Sequence, residues 1–175
     1  MARTTIFEAG DMNAKGICRA LVCDWITKGQ AGVDVKSKYD FDSTWENQRK
    51  WILGDSIAPN VGIDQVYGLV AANTVQNNNP PIDTDWIAAG LTRGTGYFMF
   101  AVRGKMLNIQ TRRYDNSGHA MGTRKGLGAF QFFDPNLGLI EFGSTLEFYD
   151  YLPGYVATYY PSLLSRQAEV QRFNP

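Results

Sequence analysis

From Gly96 onward the chain repeats one pattern, short aromatic and aliphatic runs cut by glycine-bearing turns: Tyr97-Phe-Met-Phe-Ala-Val102, Met106-Leu-Asn-Ile-Gln-Thr111, His119-Ala-Met121 and Gly128-Ala-Phe-Gln-Phe-Phe133. Such runs predict consecutive antiparallel strands. A last strand, Leu139 to Phe142, follows Asp134-Pro-Asn-Leu-Gly138. An aromatic helix is then expected near Ser144, with Ser144 or Thr145 as its cap and Glu147 in its first turn. The first half reads differently. From Gly16 to Gly29, Ile17, Leu21, Val22, Trp25 and Ile26 recur at helical intervals and predict an amphipathic helix that ends at Gly29. A second helical pattern runs from Ser43 to Leu53 with Gly54 as its stop, and a third from Ile63 to Asn73. Asn77-Asn-Asn-Pro-Pro81, after the third, is a surface loop, because the prolines remove donors and the asparagines favour turns. Helices first and sheet later make the expected class α+β.

With 175 residues the chain has the length of one domain, expected to span 1–175. Seventeen basic residues balance seventeen acidic ones, so no global field points to nucleic acid or to a membrane surface; membrane contact is expected to be peripheral at most. The longest apolar run, Tyr97–Val102, is far short of the ~18 or more residues that cross a bilayer. The first twelve residues contain two acids and no apolar core of a signal peptide, so secretion is expected by a route independent of one. Cys18 and Cys23, five apart on one helix, stand too far apart to bridge and are expected as free thiols. With His119 the sole histidine, zinc-finger, HExxH and three-histidine sites lack their ligands, and the cysteine spacing matches no zinc knuckle. No cofactor is expected.

Chemistry is best placed at Cys18. A thiol at a helix start is stabilised as thiolate by the unpaired N–H groups and the dipole there. Cys23, deeper in the same helix, has no such reason for activation. His119 stands between Gly118 and Gly122, which allow close backbone approach, and Asp134 closes the strand that ends Phe132-Phe133. Each residue alone has an ordinary role, as small core residue, packing residue and turn initiator respectively. Together they are the three parts of a thiol triad, and neighbouring strands can bring the last two together.

Gly-Ile-Cys-Arg-Ala-Leu with a tryptophan seven residues after the cysteine, then Gly-His-Ala, then Phe-Phe-Asp-Pro-Asn-Leu-Gly, in that order, resembles the YopT/AvrPphB family of bacterial effector cysteine proteases. The likeness runs from about Asn13 to Tyr160, without matches between Gly29 and Gly96. It implies a papain-like fold with the nucleophile Cys18 at the start of a helix packed on an antiparallel sheet that carries His119 as base and acid and Asp134 as its orienting carboxylate. It also implies Asn13, five residues before the cysteine, as oxyanion donor with the backbone N–H of Cys18. Asn136 and Phe133 match the motif too and read as shaping the turn that holds Asp134, not as participants. The implied biology is a delivered toxin that acts in the cytoplasm of a target cell on a protein substrate, with a cognate inhibitor or immunity protein in a susceptible producer. The same triad serves a deamidase or a transglutaminase.

Other readings compete. Arg103, Lys105, Arg112, Arg113, Arg124 and Lys125 surround His119 against a single acid, Asp115. They either attract an acidic substrate or lipid surface or protect sheet edges from aggregation. Gly54-Asp-Ser-Ile57 echoes a serine esterase motif without its Asp-x-x-His partner. A non-catalytic interaction module would instead use the aromatic tail Phe148, Tyr149, Tyr151, Tyr155, Tyr159 and Tyr160.

Overall fold

A computed structural model describes residues 3–13, 17–53, 62–91, 93–108, 112–126, 129–162 and 167–174, without the side chains of 44, 105–108 and 114–117. Its frame is a seven-stranded antiparallel sheet in the order β1-β6-β5-β4-β3-β7-β2. The strands are β1 (Arg3–Glu8), β2 (Ala71–Asn77), β3 (Gly96–Asn108), β4 (Arg113–Lys125), β5 (Phe130–Asp134), β6 (Gly138–Phe142) and β7 (Gln167–Phe173). Helices α1 (Cys18–Gln30), α2 (Thr44–Ile52), α3 (Ile63–Val66), α4 (Thr84–Leu91) and α5 (Thr145–Tyr159) cover it.

In its interior the sheet is buried on both faces, which explains why β3 reads as an unbroken apolar run over Tyr97–Val102 rather than an alternation. Tyr97, Met99 and Ala101 of β3 join the cluster with Leu21, Val22, Trp25 and Ile26 of α1. Phe98, Phe100 and Val102 face the opposite way, into the cluster with α4 and α5. The result is three layers, with α1–α3 on one face and α4–α5 on the other.

Several expectations hold to within a residue or two. The helix after Gly16 is α1, Ser43 caps α2 by accepting the Glu46 N–H, and Ser144 caps α5 by accepting the Glu147 N–H. Strands β5 and β6 also lie where the sequence puts them. Others need correction. The helix expected over Ile63–Asn73 stops after Val66, because Gly68 takes a left-handed conformation (φ 73°), and the following residues form β2. The runs Tyr97–Val102 and Met106–Thr111 belong to one strand as far as Asn108, since Gly104 continues the ladder opposite Ser117 instead of turning. Residues 109–111 lie outside the described part. His119–Met121 is likewise the middle of β4, not a short strand of its own. Finally, helices do not precede the sheet: β1 opens the fold, β2 interrupts the helices, and β7 closes it.

Two glycines set the approach of layers. Gly29, expected as the stop of α1, lies inside its last turn, where a Cβ would sit 2.1 Å from the Tyr97 hydroxyl. At Gly122 a Cβ would come within 2.9 Å of the Trp25 ring and 3.1 Å of Val22, so the bare backbone of β4 lets α1 settle directly on it.

Candidate active site

The site forms where β5 parts from β4. Their ladder runs from Lys125↔Phe130 to Gly122↔Phe133 and ends there, so the next stretch of β4, His119–Met121, has no β5 partner on that side. The first turn of α1 fills the gap. The Cys18 side chain takes the backbone N–H of Ala120 and that of Arg19 and hydrogen-bonds the side chain of His119. Ile17 at the N-cap offers no side-chain acceptor, and no acid stands in the first turn of α1, which leaves the helix start electropositive. Arg19 anchors that turn: its guanidinium donates to Asp64 (3.2 Å) on α3 and to Gln171 (3.0 Å) on β7.

His119 is buried on β4, and Asp134 is fully buried at the end of β5. His119 Nε2 lies 2.8 Å from Asp134 Oδ1. The Asn136 N–H donates to the same oxygen at 2.7 Å. Asp134 Oδ2 accepts from the hydroxyls of Tyr155, on α5, and of Tyr160, just beyond it at 2.8 Å. The Tyr160 ring stacks on the imidazole with centroids 4.6 Å apart and planes at 20°. The carboxylate therefore has four donors, and a lid of tyrosine covers the bond between it and the imidazole. Tyr155 and Tyr160 belong to the aromatic tail noted in the sequence, but nothing in their spacing identified them as ligands of Asp134.

These contacts set the charges. Burial pushes the Cys18 thiol up, but the hydrogen bond and charge of His119, with the two backbone N–H groups, outweigh it and hold the thiol below its ordinary value. Burial alone dominates at Cys23 and pushes that thiol far up. Burial opposes protonation of His119, yet Asp134 and Cys18 raise the imidazole to about 9. Asp134 is lowered despite its burial, by His119, Tyr155 and the Asn136 N–H. The arrangement therefore favours a thiolate beside an imidazolium beside a carboxylate.

Asn13 lies near this group. Its Nδ2 donates to Asn136 Oδ1 at 2.7 Å, and its own Oδ1 is buried with no hydrogen-bond partner among the described residues. Of the basic cluster, Arg103, Arg112, Arg113 and Arg124 are exposed, and Arg124 lies over the Tyr97 ring at 5.5 Å. The side chains of Lys105 and Asp115, and the whole of Gly54–Ile57, lie outside the described residues. Among the described residues no helix is long and apolar enough to cross a membrane.

No family model and no curated protein matches the sequence. In fold the chain is similar to the crystal structure of the Pseudomonas avirulence protein AvrPphB, with a TM-score of 0.66 over 100% of this chain and 97% of that one, at 13% identity. At that identity the likeness is one of fold alone.

Proposed function

We propose that this chain is a papain-like cysteine protease, delivered by a bacterium, that cleaves a protein of the target cell with Cys18 as nucleophile, His119 as base and acid, Asp134 as the group that orients the imidazole, and Asn13 as oxyanion donor. The observation that carries the reading is geometric: Cys18 at the start of α1 hydrogen-bonds His119, whose Nε2 lies 2.8 Å from Asp134, whereas Cys23 of the same helix is buried in the core. The fold shared with AvrPphB supports it, as do the motifs around the three residues.

The chemistry follows from the charges. With Nε2 of His119 on Asp134, Nδ1 is the nitrogen that faces the thiol. The thiolate adds to the substrate carbonyl, a C–S bond forms, and the carbonyl electron pair moves onto oxygen. Donors aimed at that oxygen, the second N–H of Asn13 and the backbone N–H of Cys18, stabilise it, and such donors are worth roughly 3–4 kcal/mol each in comparable sites. Collapse breaks the C–N bond as Nδ1 gives its proton to the leaving amine. Water, deprotonated by the neutral imidazole, then hydrolyses the thioester and restores the ion pair.

Alkylation tests this without a substrate. Iodoacetamide labelling, read separately at Cys18 and Cys23 by peptide mass spectrometry, should persist at Cys18 well below pH 8 and lose that acid-side reactivity in His119→Ala. Turnover, once a substrate is found, should rise as Cys18 ionises and fall as the imidazolium is lost near pH 9. A Cys18 that reacts no faster than Cys23 in acid would refute the reading in favour of a non-catalytic module.

A further inference from the structure

Asn136 stands in the turn between β5 and β6, and three of its groups are engaged at once. Its backbone N–H donates to Asp134 Oδ1 (2.7 Å), its Oδ1 accepts from Asn13 Nδ2 (2.7 Å), and its Nδ2 donates to the Tyr160 hydroxyl (2.9 Å). Tyr160 in turn donates to Asp134 Oδ2 and covers the imidazole. We propose that Asn136 is a positioning residue that orients the Asn13 amide and fixes it to the same frame as the His119–Asp134 pair.

Hydrogen-bond chemistry decides the orientation. An amide oxygen can only accept, so Asn136 Oδ1 demands the nitrogen end of Asn13 and holds one of its two N–H bonds. The second N–H is left for a developing oxyanion, while the Asn13 oxygen is turned into the protein, where it has no partner among the described residues. Among the described residues it is Asn136 that bonds the Asn13 amide, and so favours that orientation over the reverse one, which would present an oxygen to the oxyanion and repel it. The backbone brings the two residues together: Ala9 N–H donates to Leu137 O (2.9 Å), which pins the turn before Asn13 to the turn that holds Asn136. The Asn136 side chain is exposed, so water competes for its two bonds and they add little to stability. Their effect lies in orientation.

The inference rests on the protease reading, and the test separates the two. Alkylation by iodoacetamide develops no oxyanion, whereas acylation by p-nitrophenyl acetate passes through a tetrahedral oxyanion. Both rates are measured at Cys18 in the parent, Asn13→Ala, Asn136→Ala and the double variant. Asn136→Ala is expected to lower acylation about tenfold or more, with alkylation and melting temperature nearly unchanged. In the Asn13→Ala background it should lower acylation no further. Equal loss in both backgrounds, or no loss, overturns the proposal. If Asn136→Ala also loses alkylation, Asn136→Asp, which keeps an oxygen for Asn13, decides: restored acylation supports orientation and continued loss overturns it. A parent Cys18 inert to both reagents overturns the protease reading, and the inference with it.

Discussion

At the scale of single residues, the centre of the site is Asp134, not the thiol. A fully buried carboxylate is costly unless its lone pairs are filled, and here two hydroxyls and a backbone N–H join the imidazole in filling them. Charge on Asp134 is what lifts His119, and His119 in turn lowers Cys18, so the tyrosines act on the Cys18 thiol through two intermediates. Tyr155→Phe deletes a buried donor and should cost about 1–3 kcal/mol at neutral pH. The sign of its pH dependence follows from the lowered carboxylate. A group depressed in the folded state contributes stability that is complete above its ordinary value of 3.8 and vanishes as pH falls through the folded-state value. Loss of a donor to the charged form removes part of that contribution. The gap between parent and variant in denaturant melts should therefore be widest at neutral pH and close in acid. A gap that stays constant down to the acid transition would mean that the hydroxyl serves packing and not the charge. Burial and the Asp134 charge both hold the Tyr155 hydroxyl protonated, as a donor must be.

Among the elements, the decisive contact is α1 on β4, because it alone carries Cys18 to the edge that β5 vacates. The contact depends on a missing side chain. Gly122→Ala would drive a methyl into Trp25 and Val22, an overpacking of the kind that costs about 1–3 kcal/mol. The helix must lift or tilt to relieve it, so Cys18 labelling at pH 6 should fall more than stability does. Gly154→Ala is the control, since its Cβ would meet nothing within 4 Å and alanine favours the interior of α5. If Gly122→Ala labels at the parental rate, the seating of α1 does not set the thiol's reactivity. The same contacts explain what could be read in advance. Helices α1, α2 and α5 and strands β5 and β6 announce themselves through local signals, a periodic stripe, a serine cap or a run of phenylalanines. Strand β2 does not: five of its seven residues are exposed, and Ala-Ala-Asn-Thr-Val-Gln-Asn becomes a strand only because β7 pairs with it. Helix α4 carries a local signal of its own, Asp83 ahead of Ile87, Ala88 and Leu91, and in the structure the Asp83 carboxylate accepts the Asp85 N–H. In the candidate site, Cys18, His119, Asp134 and Asn13 stand in motifs, whereas the bonds of Tyr155 and Tyr160 to Asp134 and of Asn136 to Tyr160 depend on the path of α5, which no short spacing encodes.

Across the whole molecule, the strands far apart in sequence are not equivalent. The motifs run from about Asn13 to Tyr160, yet the sheet reaches past both ends of that span, with β1 at an edge and β7 in the interior between β3 and β2. Strand β7 is paired along both sides, from Tyr97↔Phe173 to Arg103↔Gln167 with β3 and from Ala71↔Phe173 to Asn77↔Ala168 with β2. It buries Ala168, Val170 and Phe173, and contributes to the clusters on both faces. Through Gln171 and Glu169 it also holds Arg19, the residue next to the thiol, at 3.0 and 3.6 Å. A chain that ends at Pro161 would keep every residue of the proposed chemistry and lose the strand that joins β2 to the sheet. It would also expose one edge of β3 and leave Arg19, in the first turn of α1, with Asp64 but without Gln171 and Glu169. Such an edge cannot be left open cheaply, because it strands backbone donors and uncovers apolar surface on two faces at once. That truncation should abolish the cooperative thermal transition and the near-ultraviolet circular dichroism of the packed aromatics. A chain that starts at Ala9 loses only an edge strand whose residues are exposed or half-buried, and should melt cooperatively at a lower temperature. Cooperative melting of the shorter C-terminal truncation, with Cys18 still labelled in acid, would show that the site needs only the segment its motifs span.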